Sequence, residues 1–319
     1  MFGSIRACRS RAAHDEQRMR GAASPRRLVW SRLMGHRLAQ ASLAFLAVLL
    51  ILSLAAPLIA DLRGVDPSAT DLFRRLEPPS AEHWLGTDDL GRDLFQRLLD
   101  GGRVSLLVGI SGALLSAILG SIIGVLAGYL GGRLDSVLMR LTDGVISLPL
   151  LPLLIVLAAI DPRKIGIPAE IAQSETFSLY RIVVIVALTG WTTVARLVRA
   201  ETLSLKARDF TRAAQALGAV PLRIMFRHIL PNAAGSLVVA TTMSVGTLIL
   251  FESTLSFLGL GTQPPAASWG NMLTGAQELL QQAPVLALWP GLLIFLTVIA
   301  FNFVGDGLQD ALDPRSERR

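Results

Sequence analysis

Few side chains in this sequence could carry chemistry, and they form no recognisable catalytic set. The only lysines are Lys164 and Lys206, and neither follows a glycine, so the Gly-Lys-Ser/Thr of a phosphate-binding P-loop is missing. The four histidines show no metal-ligand spacing: His14, His36, His83 and His228. The sequence therefore predicts a protein that is not an enzyme and holds no cofactor or metal of its own. If it moves a solute uphill, another chain or an ion must supply the energy.

Ion coupling would need ionisable groups inside the membrane-spanning segments. A proton- or ion-driven transporter usually buries such groups near mid-membrane. Here Asp143, Arg196 and Glu252 each lie near the end of an apolar run, where snorkelling or helix capping explains them better than ion coupling does. Coupling to a partner protein is therefore favoured. An ATPase-independent secondary transporter or channel remains the alternative, and it would show mid-span charges and inverted repeats with broken helices.

The elements that carry these residues are long apolar runs. Of the 319 residues, 52% are hydrophobic and 17% are charged, whereas soluble domains carry about 25% charged residues. Six runs lack any charge: 38–60, 104–130, 144–160, 182–195, 229–251 and 279–305. A membrane-spanning helix needs roughly 20 residues, which the third run reaches from Val137 and the fourth reaches over 179–198. The sequence predicts an all-α polytopic membrane protein with six transmembrane helices.

Charge distribution predicts the orientation of these helices. Cytoplasmic segments collect Lys and Arg. Residues 1–37 carry nine arginines against two acidic residues, 199–228 has a net charge of +4, and 61–103 has a net charge of −3. The predicted division is a basic cytoplasmic tail 1–37, a first transmembrane helix 38–60, an extracytoplasmic loop 61–103, a core of five transmembrane helices 104–310 and a cytoplasmic tail 311–319. The basic charge belongs to inner segments, so no nucleic-acid partner is expected.

Small residues recur every four positions in the second run. These residues, the glycine stripe, are Gly112, Ser116, Gly120, Gly124 and Gly128. They line one helix face with small side chains, so that another backbone can approach closely. The stripe predicts helix packing, either within this chain or against a homologous partner subunit.

The segment 209–232 has the pattern of two short helices around a turn. Its apolar residues Phe210, Ala213, Ala214 and Leu217 follow the i, i+3, i+4, i+7 spacing of a helix face. Gly218 suits a helix end with positive φ, and Pro221 suits the first turn of the next helix. That helix carries Leu222, Met225, Phe226 and Ile229, and Pro231 is expected to break it before the next span. The pair would either lie on the membrane surface or dock a cytoplasmic protein.

Three stretches of the sequence resemble one family. "AAQALGAVPLRIMFRHILP" resembles the EAA loop of ABC-importer permeases, since Ala213, Ala214, Gly218 and Leu230-Pro231 match its pattern. Arg212 stands where that pattern has Glu, and His228 stands where it has Ile. "HWLGTDDLGRDLFQRLLDGGRVSLLVG", which opens with the HWLGTD motif, and "ESTLSFLGLGTQPPAASWGNML" resemble the C-type subunits of the dipeptide/oligopeptide/nickel branch.

The resemblance implies a type I ABC importer permease (MetI-like) fold and a set of partners. It implies a bacterial inner-membrane subunit that pairs with a homologous permease subunit, two ATP-binding subunits that use ATP and Mg²⁺, and an extracytoplasmic solute-binding protein. The implied substrate is a di- or oligopeptide, with nickel as the alternative. The loop 199–231 would couple to the ATPase through Phe210, Arg212, Ala213, Ala214, Leu217, Gly218, Pro221 and Pro231.

The stretch after the fifth run is a candidate for the translocation path or an outer gate. Gly259 and Gly261 interrupt the chain where this span should surface, and Trp269 is expected either to anchor at the membrane interface or to contact the binding protein. Glu252 would either attract a peptide amino terminus or bond to a neighbouring helix.

Overall fold

A computed structural model of the chain describes residues 30–172 and 174–312, and these residues are helical apart from turns, loops and an isolated bridge between Thr87 and Asp93. Most of the predicted N-terminal tail and residues 313–319 lie outside this range. The helices are α1 Arg37–Leu54, α2 Ala56–Arg63, α3 Leu94–Leu130, α4 Gly132–Ser147, α5 Leu150–Ala159, α6 Ala169–Ala172, α7 Glu175–Lys206, α8 Asp209–Ala216, α9 Pro221–Ile224, α10 Leu230–Phe257, α11 Trp269–Gln277 and α12 Val285–Leu312.

Five of these segments are long and apolar enough to cross a membrane: α1, α3, most of α7, the continuous stretch from α9 through α10, and α12. The predicted third span is not one continuous helix. It is the pair α4 and α5, bent by 91°. The bend follows from Pro149, because a residue before proline avoids the helical region and Leu148 accordingly has an extended backbone with φ −77° and ψ 139°.

The ends of the first two spans also differ from the charge-free runs. The predicted helix 38–60 is divided after Leu54, and α2 then starts with Pro57 in its first turn. Helix α3 begins at Leu94, before the apolar run, because the Asp93 side chain caps it by accepting the Gln96 N–H at 2.7 Å. The predicted outer loop therefore ends at residue 93.

The glycine stripe lies against α7 of the same chain. An added Cβ at Gly120 would lie 2.7 Å from the Trp191 carbonyl oxygen, and one at Gly124 would lie 2.6 Å from the Ala195 carbonyl oxygen. The Ser116 hydroxyl donates to the carbonyl of Ala187 at 3.2 Å. The two backbones are so close that larger side chains have no room. The remaining stripe residues, Gly112 and Gly128, face Val186 and Thr202 of the same helix.

Contacts distinguish the two ends of the bundle. At the first end, Leu33 and Ala39 near the start of α1 pack against Ala311 of α12. Gly235, near the start of α10, lies at the same end, because its added Cβ would be 3.7 Å from Leu312.

The second end holds the starts of α3 and α7 and the loop after α10, where Ser178 donates to the Gly261 carbonyl at 3.4 Å. Helix α4 starts where α3 finishes, at the first end, and α7 starts at the second. The bent pair therefore connects the two ends and makes the sixth crossing.

Candidate coupling site and outer cluster

The segment between α7 and α10 folds as two short helices around a tight turn, as the sequence predicts. Helix α8 ends in a turn in which Gly218 has φ +81°, and the Ala219 N–H donates to the Ala214 carbonyl at 3.1 Å. This closure requires a left-handed residue, which glycine supplies without strain. Pro221 then opens α9. The predicted positive φ at Gly218 and the predicted position of Pro221 are confirmed.

Pro231 does not end the second helix, so that prediction is wrong. A π-turn over Met225–Ile229 precedes the proline, and the Leu230 N–H donates back to the Met225 carbonyl. This wider turn accommodates a residue that lacks an N–H and whose ring would crowd the preceding turn. The side chain of Asn232 donates to the carbonyl of His228 at 2.6 Å. The chain therefore continues helically from α9 into α10.

Polar contacts join the ends of α3 and α7 to each other and to α8. The Lys206 ammonium donates to the Tyr129 carbonyl at 2.6 Å and lies 5.3 Å from the centroid of its ring. Gln215 donates to the Tyr129 hydroxyl at 3.3 Å, and Thr211 donates to the Leu205 carbonyl at 2.8 Å. Helix α8 is thus fixed by hydrogen bonds to the ends of two membrane-spanning helices.

Five apolar side chains are exposed on the two helices and on the turn and π-turn beside them. This coupling face consists of Phe210, Leu217, Val220, Leu222 and Phe226, and Leu217 is 88% exposed. Exposed apolar clusters of this kind mark interaction surfaces. Val220 is the member that periodicity missed, although an apolar residue between Gly218 and Pro221 could have indicated it.

The other predicted coupling residues divide between the surface and the interior. Arg212 and Ala213 are exposed, whereas Ala214 packs against a buried cluster that contains Tyr129. The predicted second stripe is also split, because Met225 and Ile229 are buried in that cluster while Leu222 and Phe226 remain outside. Pro221 and Gly218 are exposed.

At the second end of the bundle, Glu252 is fully buried among serines. Its carboxylate accepts hydrogen bonds from Ser256 at 2.7 Å, Ser105 at 2.9 Å and Ser253 at 3.4 Å. These hydroxyls provide the polar partners that a buried carboxylate needs. Of the two predicted roles for Glu252, this geometry shows bonding to a neighbouring helix, because Ser105 belongs to α3.

Trp269 is not an interface anchor, because it is fully buried. Its indole N–H donates to the Leu98 carbonyl at 3.0 Å, and its backbone N–H donates to the Ser105 hydroxyl at 3.3 Å. Gly259 has φ +75°, and an added Cβ at Gly261 would lie 2.5 Å from the Cα of Ser256. These three residues, with Glu252, therefore hold α11 and its preceding loop against α3 and α10.

The loop before α3 is ordered by charge. Arg63 donates to both carboxylate oxygens of Asp93, at 2.9 and 3.2 Å, and His83 Nδ1 lies 2.9 Å from the same carboxylate. Burial by itself raises the pKa of Asp93, but the hydrogen bonds from Arg63, the Gln96 N–H and His83 outweigh it and leave the pKa below its ordinary value. Arg92 is likewise engaged within the loop by Asp88 at 2.7 Å.

A bundle of six crossing segments, with an apolar helix pair displayed at one end and a cross-linked polar loop at the other, defines a polytopic helical membrane permease subunit. The chain belongs to the family of binding-protein-dependent transport system inner membrane components, whose model matches residues 120–318. The model for the N-terminal transmembrane domain of oligopeptide transport permease C matches residues 24–79.

Similar proteins agree with this placement. The chain is 42% identical over 286 residues to the oligopeptide transport system permease protein OppC of Escherichia coli (strain K12), covering 89% of each chain. It is 40% identical over 290 residues to the dipeptide transport system permease protein DppC of Bacillus subtilis (strain 168), covering 91% of this chain and 85% of that one.

A solved structure supports the fold. An inward-facing structure of the MetNI methionine ABC transporter aligns with a TM-score of 0.53 and 22% identity, over 69% of this chain and 96% of that chain. The predicted permease role, the ABC-importer family and the type I importer fold are confirmed. The similar proteins do not specifically favour the nickel alternative.

Proposed function

We propose that this permease subunit moves di- or oligopeptides inward across a bacterial cytoplasmic membrane, driven by a separate ATPase that binds the coupling face. The observation that carries the proposal is the coupling face itself, because five large apolar side chains are exposed on and beside α8, which is hydrogen-bonded to α3 through Gln215 and to α7 through Thr211. The peptide substrate is supported by the similarity to oligopeptide and dipeptide permeases.

The proposed complex adds four further protein subunits to this chain and lies in a lipid bilayer. A homologous permease subunit completes the path, two ATP-binding subunits with ATP and Mg²⁺ supply energy, an extracytoplasmic solute-binding protein delivers the peptide, and the lipid bilayer surrounds the helices. The first end of the bundle, with the coupling face and both described chain ends, lies in the cytoplasm in this proposal. The net charge of +4 on residues 199–228 supports that orientation.

Movement of the ATPase would reach the membrane through two connections. Thr211 and Gln215 link α8 to the ends of α7 and α3. Gly218 and Pro221 set the angle between α8 and the long helix that continues into α10. Closure of the ATPase dimer would therefore move three spanning helices together. Arg212 would contact the ATPase from the exposed side of α8, and the small Ala213 would permit close seating.

At the second end, Glu252, Gly259, Gly261 and Trp269 are proposed to hold α11 as part of the outer gate. Because Glu252 and Trp269 are fully buried, they would position the gate rather than touch the solute. Peptide contacts would come from other residues.

Site-specific photo-crosslinking tests the coupling face. We expect a benzoylphenylalanine at Leu217 to crosslink to an ATPase subunit co-expressed with this chain, and the subunits to co-purify in detergent. The same probe at Leu141, an exposed apolar residue of α4, should give no such product. A functional homomer that purifies without any ATPase would favour the secondary-transporter alternative and refute the proposal.

A charge placed in the turn provides a second test. We expect Gly218→Asp to leave the protein inserted in the membrane but to uncouple transport from ATP hydrolysis. The added Cβ would meet no atom within 4 Å, so the new carboxylate would project into the docking surface. Normal peptide uptake by this variant would contradict the assignment.

A further inference from the structure

The first part of the bent span has two chemically distinct faces. The polar stripe of α4 consists of Arg133, Ser136, Arg140, Asp143 and Ser147, at positions i, i+3, i+7, i+10 and i+14, and all five are exposed. Residues at this spacing lie within one narrow arc of a helix. The exposed apolar residues Leu134, Val137 and Leu141 lie on a different face of the same helix. The apolar face suits contact with lipid, whereas the polar stripe does not.

An ion pair joins this stripe to α7. Arg196 Nη2 donates to Asp143 Oδ1, and the two side chains remain 51% and 59% exposed respectively. A second pair on the same two helices, Arg199 with Asp135, is bidentate at 2.6 and 2.7 Å and less exposed, at 33% and 18%. The bidentate, partly buried pair of Arg199 and Asp135 has the geometry of an ion pair that holds two helices together. The first leaves the second carboxylate oxygen of Asp143 without a hydrogen-bond partner among the described residues.

The depth of Arg196 makes its exposure informative. The charge-free stretch of α7, 182–195, has 14 residues, which span about 21 Å at 1.5 Å per residue. The hydrocarbon core is about 30 Å thick, so this stretch cannot cover it alone. A charged side chain at this position either snorkels to the interface or faces a bundle interior or a water-filled cavity, and the ion pair of Arg196 with Asp143 on the polar stripe favours the second. A broken helix is likewise tolerated there only against protein or water.

We infer that the polar stripe of α4 lines the cytoplasmic half of the translocation path, and that Asp143 binds the α-ammonium group of the peptide in transit. Among the charged residues of the stripe and its α7 partner, Asp143 is the sole carboxylate beside three cations, Arg133, Arg140 and Arg196. Arg133 and Arg140 have no ion-pair partner in the described part of the chain, so they are available to the peptide carboxylate. This charge arrangement complements a peptide with two free ends.

The inference rests on the proposed function, because it takes the substrate to be a peptide. Its tests assume only that the assembled wild-type complex moves peptides into proteoliposomes. If the wild-type complex moves none, the proposed function fails. If wild-type uptake is normal and the results below are negative, only the assignment of the stripe fails.

The first test measures water access in the assembled complex. In a Cys8→Ser background, Asp143→Cys should react with a permanently charged methanethiosulfonate reagent at least 10-fold faster than Leu141→Cys. The two positions lie on different faces of one helix at similar depth, so they form a matched pair. Equal rates, or faster reaction at Leu141→Cys, would overturn the placement of the stripe in the path.

The second test separates contact with the peptide from a structural role. Asp143→Asn should reduce uptake of a peptide with a free amino terminus about 10-fold or more, since charge-assisted hydrogen bonds contribute strongly. It should leave uptake of the N-acetylated peptide at its wild-type level, each peptide being supplied at saturating concentration.

A structural role predicts a different pattern. If Asp143 merely fastens α4 to α7, the Asn variant should reduce uptake of both peptides by the same factor, as we expect for Asp135→Asn. Such a result would overturn the assignment of Asp143 to the peptide ammonium. An acetylated peptide that the wild-type complex moves as fast as the free peptide would overturn it as well.

Discussion

The turn at Gly218 offers a perturbation whose magnitude can be worked out from the structure. Gly218 has φ +81°, a region that costs a non-glycine residue about 1–2 kcal/mol. An added Cβ meets no atom within 4 Å, so steric overlap contributes nothing and the backbone term stands alone. Gly218→Val should therefore disfavour the turn by about 5- to 30-fold, given that 1.4 kcal/mol is a factor of ten, and more if the branched side chain adds strain.

The assay is ATP-driven peptide uptake by the assembled complex in proteoliposomes, with ATP hydrolysis measured in parallel. We expect Gly218→Val to insert and assemble but to transport fewer peptides per ATP, because the angle between α8 and α9 is no longer held. Gly218→Asn is the matched control, since asparagine tolerates positive φ, and it should retain most of the coupling. Full coupling in the Val variant, or equal loss in both variants, would refute the argument from backbone conformation.

Three further predictions concern the packing and the ion pairs of the bundle, and each is checked by the unfolding temperature of the purified protein in detergent. Gly124→Ala should destabilise by about 1–3 kcal/mol, because its Cβ would lie 2.6 Å from the Ala195 carbonyl oxygen. Gly144→Ala, with no atom within 4 Å, should instead stabilise by about 0.5–1 kcal/mol, since alanine is the better helix former. Equal effects would contradict the close approach of α3 and α7. Trp269→Ala should lower the free energy of unfolding by about 3–5 kcal/mol, and Trp269→Phe should lower it by about 1 kcal/mol through the lost indole hydrogen bond. An Ala variant with unchanged stability would contradict the full burial of Trp269. Asp93→Asn keeps a helix cap but loses the charge partner of Arg63. Since the pKa of Asp93 in the folded protein lies below the ordinary 3.8, the wild-type protein should be more stable than the variant above that pH, and the difference should disappear as the pH falls below it. A stability difference that persists in acid would contradict the ion pair.

The sequence alone predicted the features that depend on residues adjacent in the chain. The apolar runs predicted the spanning segments because only long apolar helices satisfy a bilayer. The apolar periodicity around Phe210, together with Gly218 and Pro221, predicted the helix pair because a left-handed cap and an N-terminal proline are local requirements.

The errors arose where tertiary packing or an irregular turn decided the outcome. Pro231 was expected to end a helix, but the π-turn over Met225–Ile229 widens the helix just before the proline, so that the missing N–H does not interrupt it. One of the two expectations for Trp269 placed it at the membrane interface because tryptophan is amphipathic, but its indole N–H donates to the Leu98 carbonyl inside the bundle. Neither partner is visible from sequence spacing.

The packing of the glycine stripe was undecided for the same reason. Small residues at every fourth position indicate a close helix neighbour but do not identify it, and the structure places that neighbour in α7. The bend between α4 and α5 could have been anticipated from Pro149, whose effect on Leu148 is local. The ion pair between Asp143 and Arg196 could not have been anticipated, because these two residues are 53 positions apart in the chain.

The most direct test of the central claim is uptake of a labelled oligopeptide by proteoliposomes that contain this chain, its permease partner, the ATPase subunits and the binding protein. The account predicts uptake that requires ATP and both the ATPase and the binding protein, and that persists when ion gradients are collapsed. Uptake that proceeds without the ATPase and stops when the ion gradients are collapsed would contradict it.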